Sequence, residues 1–241
     1  AQALLSKAAL QSPEREDVRS LLSVTCQSTH DWAPCATALQ AAYESIPEDN
    51  LIRMELSYAL QEIGEAEKGI QMLEEQITKF PKDVTGFLLL SQVYLSNGKA
   101  EKALEIADKS LGLSQSLESH VLKLMALFRL DRKQEAMAVV SSYGTHDENA
   151  HMIMAQALLE QGALEEAEEI LLSFIRHKPK DIEGPLMLSM VYIATDRPEE
   201  AAEVKDALMK RVSEDDRQEI ENEYDKQLLQ IEALVGESKM E

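Results

Sequence analysis

The chain has 241 residues, 44% of them hydrophobic, so it can bury a substantial core and wholesale disorder is excluded. Against 24 Lys and Arg stand 44 Asp and Glu, and a formal net charge of -20 repels phosphate backbones and anionic headgroups, which excludes nucleic acid as a partner. The densest apolar run is Phe87 to Leu90, far short of the roughly 18 to 20 residues of a membrane span, so direct membrane insertion is excluded as well.

Residues 1–12, AQALLSKAALQS, align with the second helix of a helix pair whose first member is missing, and the natural protein is expected to extend upstream. A start at Ala1 without Met or a charged leader is equally what a removed targeting segment or a trimmed chain leaves behind. Prolines then mark a period. Pro13, Pro47 and Pro81 lie 34 apart in the contexts QSPERED, SIPEDN and KFPKDV; Pro179, in HKPKDI, follows Pro81 by 98 residues, two periods of 34 and one of 30. Counted from three residues after each proline, repeats start at Glu16, Asn50, Val84, Glu118, Glu148 and Ile182. Residues 1–15 are a half-unit, the fourth repeat is shortened by four around VVSSYGTHDENA, and the array runs to residue 212.

Each repeat reads as two helices. NLIRMELSYALQEIG and AEKGIQMLEEQITKF carry apolar residues at spacings of three and four, and Gly64, Gly98 and Gly162 occupy the turn, where a left-handed backbone suits glycine. Pro34, Pro185 and Pro198 fall in first helical turns, where no backbone donor is lost. From Ser213 a last helix is expected behind the acidic start SEDD, with Ile220, Tyr224, Leu228, Ile231 and Val235 in one stripe. Residues 213–241 are read as a capping helix and tail covering the flank of the last repeat; the alternative is a dimerising helix.

The columns recur down the repeats. Position seven holds Leu22, Leu56, Leu90, Leu124, Met154 and Leu188; position eight holds Ser23, Ser57, Ser91, Met125, Ala155 and Ser189; position eleven holds Cys26, Leu60, Tyr94, Phe128, Leu158 and Tyr192. A small column in the second helix holds Cys35, Gly69, Ala103, Ala136, Ala167 and Ala201, so the two helices cross closely. This pattern resembles the tetratricopeptide repeat family, with its large-small pair at seven and eight, aromatic at eleven, alanine at twenty and proline at thirty-two. The resemblance covers residues 1 to about 212 and implies an all-α fold, a right-handed superhelical array of antiparallel helix pairs, here with a C-terminal capping helix. Position four departs from the family's frequent Trp, with Arg53, Phe87, Val121, His151 and Pro185 there.

Both cysteines lie in CQSTHDWAPC, at core columns of the first repeat. Asp31 is expected to cap the second helix, and His30 takes the turn position held elsewhere by glycine. A zinc site needs four converging ligands in close pairs, which C-x8-C with one turn histidine does not supply; no metal site is assigned. Cys26 and Cys35 are either free buried thiols or a disulfide tying the two helices, and the disulfide is favoured because facing positions of a tight hairpin meet its geometry. A disulfide implies an oxidising, extracytoplasmic compartment such as the bacterial periplasm; free thiols leave the cytoplasm as the alternative. HDENAH, His146 to His151, reads as a helix start, and the acidic LEEAEE of Leu164 to Glu169 as a solvated helix face. No nucleophile, phosphate-loop, zinc-protease or dinucleotide motif occurs, so no catalytic residue and no cofactor is assigned.

In the family that the chain resembles, the first helices line the concave face and contact ligand at positions five and nine among others. Carried over, these are Met54 and Tyr58, Leu88 and Gln92, Leu122 and Ala126, Met152 and Gln156, and Leu186 and Met190, with Ser20 and Val24 in the first repeat. The Lys and Asn that let some members grip an acidic carboxyl terminus are absent from these positions. A Met- and Leu-rich groove suits an apolar or amphipathic protein segment, and the acidic exterior favours a basic one. The expected function is a non-catalytic interaction scaffold, an assembly or biogenesis factor; the alternatives are a self-associating array and an accessory domain of a longer protein.

Overall fold

The computed structural model describes residues 2–143, 149–213, 217, 218, 220–222 and 224. Thirteen helices follow one another among these residues: α1 Gln2–Gln11, α2 Glu16–Thr29, α3 Ala33–Ser45, α4 Asn50–Glu62, α5 Ala66–Lys79, α6 Val84–Ser96, α7 Ala100–Leu113, α8 Leu117–Arg129, α9 Lys133–Tyr143, α10 Ala150–Glu160, α11 Leu164–His177, α12 Glu183–Ala194 and α13 Pro198–Met209. Further helical residues lie at 217, 218, 220–222 and 224. The described residues fall into two compact bodies, one up to Leu130 and one from Asp131 onward.

In the first body, α1 to α8, one continuous core runs from Ala9 through Leu22, Leu56 and Leu90 to Ala126. Leu22, Leu56 and Leu90 are at most 1% exposed, and each contributes about 1.5–3 kcal/mol by leaving water. The small column works as expected. A Cβ on Gly69 would lie 3.4 Å from the Ser57 Cα, and the Ser91 hydroxyl donates to the Ala103 carbonyl at 3.0 Å, so α4 and α5, and α6 and α7, approach backbone to backbone. A left-handed residue follows each first helix from α2 to α12: His30, Gly64, Gly98, Asp131, Gly162 and Asp196 all have φ between 54° and 79°. His30 therefore does replace glycine. Asp31 does not cap α3. Trp32 occupies the N-cap with helical backbone angles and no side-chain cap bond, leaving Asp31 a residue too early, and the Asp31 carbonyl instead accepts from the Gln2 amide at 2.7 Å.

The fourth repeat begins one residue earlier than the proline count places it. Ser116 caps α8, accepting from the Ser119 backbone at 3.3 Å, Asp131 is the left-handed turn residue and Ala136 is the buried small residue of α9. Each of these markers sits at its column only if the repeat starts at Leu117 rather than Glu118. Position eleven is then Leu127, 1% exposed, instead of Phe128.

In the second body, α10 pairs with α11 and α12 with α13, and Met154, Leu158, Ala167 and Leu171 of the first pair are buried. Ile220 and Tyr224 close on Leu186 and Leu208, with the Lys205 amine 4.2 Å from the Tyr224 ring centre. Leu228, Ile231 and Val235 of the expected stripe lie outside the described residues, as does His146.

Candidate partner-binding faces

Positions five and nine of a first helix are one turn apart and share a face, so their exposure reports what that face offers. In the first body Val24 is 62% exposed, Leu21 54%, and Met54 and Tyr58 46% each. Gln92 is exposed and Leu88 half-buried. Met54, Tyr58 and Gln92 come together: with Gln61, Leu89 and Ser96 they line a cleft of about 80 Å³ between α4 and α6. Ala126 does not join them. It has no accessible surface, and Leu122 packs on the core, because the one-residue register shift moves positions five and nine of α8 to Val121 and Met125, both half-buried.

In the second body Gln156 is exposed and Met152 and Met190 are half-buried. Leu186 is 7% exposed, covered in the cluster with Ile220 and Tyr224, and offers no free surface.

Residues not singled out from sequence complete the α2–α4 face. The Trp32 ring meets Tyr58 edge-on, centroids 4.9 Å apart, and walls one side of it. Partial desolvation, and then the Glu62 carboxylate, raise the Tyr58 phenol above its ordinary pKa. Burial raises the Glu55 carboxyl, opposed by the nearby Arg19 guanidinium and reinforced by Asp49 and Glu16. One Glu55 oxygen is buried without a donor. Adjacency to the Met54 column is the signal that marks Glu55 and Leu21 in the sequence; the Trp32 contact needs the folded turn.

Cys26 and Cys35 are joined in a disulfide with their Cα atoms 6.5 Å apart, and both are fully buried. A larger cleft of about 570 Å³ lies on the second-helix side, lined by Ala33, Ala36, Gln40, Leu60, Ile63 and Lys68. Among the described residues no group of three or more His, Cys, Asp or Glu is placed to hold a metal ion, and no helix is long and apolar enough to cross a membrane. His151, the one described histidine of HDENAH, is held below its ordinary pKa by burial and by His177.

A family model for the anaphase-promoting complex, cyclosome, subunit 3 matches residues 75–143. No curated protein gives a significant match. Among solved structures, a thermophilic TPR protein from Thermus thermophilus is 16% identical with a TM-score of 0.50, the alignment covering 74% of this chain and 100% of that one. A tetratricopeptide repeat protein from Parabacteroides merdae is 14% identical, TM-score 0.48, covering 87% of this chain and 81% of that one. YrrB, a TPR protein with an unusual peptide-binding site, is 17% identical, TM-score 0.42, covering 73% and 92%.

Proposed function

We propose that the chain, whose fold is that of a tetratricopeptide repeat protein, is a non-catalytic scaffold which receives an apolar or amphipathic protein segment on its first-helix faces, as an assembly or biogenesis factor. The observation that carries this reading is the exposure of Val24, Met54 and Tyr58 at positions five and nine, beside the α4–α6 cleft with its amide groups Gln61 and Gln92. Large apolar side chains left in water on one face, with a few polar groups among them, mark a surface that a partner covers. The same face in the second body offers Met152, Gln156 and Met190, and flexible thioethers adapt to varied apolar partners.

The buried disulfide supports an oxidising compartment, with the bacterial periplasm as the representative case. Selection from a displayed random-peptide library tests the binding reading. The wild-type chain is expected to enrich peptides rich in apolar residues, and Met54→Glu/Tyr58→Glu to lose them while keeping its helical circular dichroism. Equal enrichment by the double variant would remove the first-helix face from consideration.

A further inference from the structure

We propose that the α2–α4 face of the first body takes a basic amphipathic helix, its apolar side chains on Val24, Met54 and Tyr58 and its Lys or Arg side chains on Glu55 and Glu62. This rests on the reading that first-helix faces receive a protein segment, and adds the segment's conformation and charge.

The face is apolar along two neighbouring ridges. Leu21 and Val24 are exposed on α2, Met54 and Tyr58 on α4. The two helices flank one surface: Arg19 of α2 reaches Asp49 at the start of α4 at 4.0 Å, and Trp32, just past α2, closes on Tyr58 at 4.9 Å. Leu21 and Val24, and Met54 and Tyr58, each stand about one turn apart on their helices, a spacing that the i, i+3, i+4 apolar face of a third helix matches better than the two-residue alternation of an extended strand.

The charge around the ridges has one sign. Arg19 is the only basic residue of α2 and Arg53 the only one of α4, and both are buried. Arg15, just ahead of α2, is held by Asp17 through a 3.1 Å hydrogen bond. The acids Glu16, Asp17 and Glu62 are exposed, and Glu55 is half-buried with one oxygen lacking any donor. A Lys or Arg arriving between Glu55 and Glu62 supplies a cation to both and lies beside the Tyr58 ring, where a cation is also favoured. A second copy of this chain, with its own net charge of -20, is the poorer occupant.

The test uses the full chain and three synthetic amphipathic peptides of about 18 residues, about five helical turns, with the same Leu positions and polar positions of Lys, Gln or Glu. Trp32 fluorescence reports binding, since Trp32 is the only tryptophan and touches Tyr58. The Leu/Lys peptide is expected to bind at least about tenfold more tightly than the Leu/Gln peptide near physiological salt, and the Leu/Glu peptide not at all. Glu55→Gln/Glu62→Gln is expected to erase the Lys advantage while leaving Leu/Gln binding unchanged; Glu62→Gln alone, at an exposed position, gives a partial loss and serves if the double variant is unstable. Glu165→Gln/Glu169→Gln, on the exposed side of α11, leaves the Lys advantage intact and separates a local site from the general charge. Equal Leu/Lys and Leu/Gln affinity overturns the inference and leaves the groove reading standing. Failure of all three peptides overturns both. Sedimentation showing a dimer that Val24→Glu/Met54→Glu dissolves would assign the face to a second copy instead.

Discussion

Arg53, 1% exposed, reaches the carboxylate of Asp83 at 3.4 Å and donates to the Pro47 carbonyl at 3.3 Å. Arg19 repeats this one unit earlier, donating to the Pro13 carbonyl at 2.6 Å and facing Asp49 at 4.0 Å. In these two repeats position four thus ties the unit to the linker ahead of it and to the N-cap residue of the next. Removing one partner of such a pair strands the other and opens a cavity, so Arg53→Ala is expected to cost about 2–4 kcal/mol in urea unfolding. Arg53→Met keeps most of the packing and, because the Arg53 Nε already lacks an acceptor, is expected to cost less than half as much.

Two glycines predict opposite outcomes for the same change. At Gly69 an added Cβ meets Ser57 at ordinary contact distance, and the corresponding residues Ala103, Ala136, Ala167 and Ala201 carry one already. Gly69→Ala is therefore expected to stabilise by about 0.5–1 kcal/mol through helix propensity. At Gly184 the Cβ would stand 2.8 Å from the Phe174 ring, so Gly184→Ala is expected to destabilise by about 1–3 kcal/mol. Thermal melts of the two variants check both signs.

The Cys26–Cys35 bond closes a short loop, nine residues apart in sequence, and its removal in the Cys26→Ala/Cys35→Ala variant is expected to cost about 2–3 kcal/mol. Alkylation in denaturant is expected to find no free thiol until reductant is added.

Stability should carry a trace of Glu55. Burial raises its carboxyl, so between the ordinary carboxylate value and the raised one the native state holds a proton the unfolded chain has lost. In that window, opening above about pH 4.3, the Glu55 contribution falls as pH rises. Glu55→Gln is expected to flatten the decline and to be as stable as the parent at neutral pH, or more so by up to about 1 kcal/mol, in urea titrations across pH.

The repeats are legible in sequence because most periods return the same demands: a buried Leu or Met at position seven, a small buried residue in the second helix, a left-handed residue after the first. Where the proline cue lapses, at Gln115, the count slips by one and places Ala126 in the groove. Ser116, Asp131 and Ala136 together mark the correct register, since a cap, a left-handed residue and a buried small position each tolerate few residue types. Leu186 cannot be judged from its column, because the cluster that buries it draws on Leu208, Ile220 and Tyr224, more than twenty residues away. Asp31 departs from its expected role for a local reason: a turn one residue longer than the cap motif assumes puts Trp32 at the N-cap.

The most direct measurement of the central claim, that first-helix faces carry the partner, is site-specific photocrosslinking in the native host. A benzophenone side chain at Met54 or Gln92, on first helices, is compared with one at Gln71, exposed on the second helix α5. The expected result is one shared protein adduct from Met54 and Gln92 and none from Gln71. An adduct from Gln71 alone would contradict the claim and move the partner to the second-helix side.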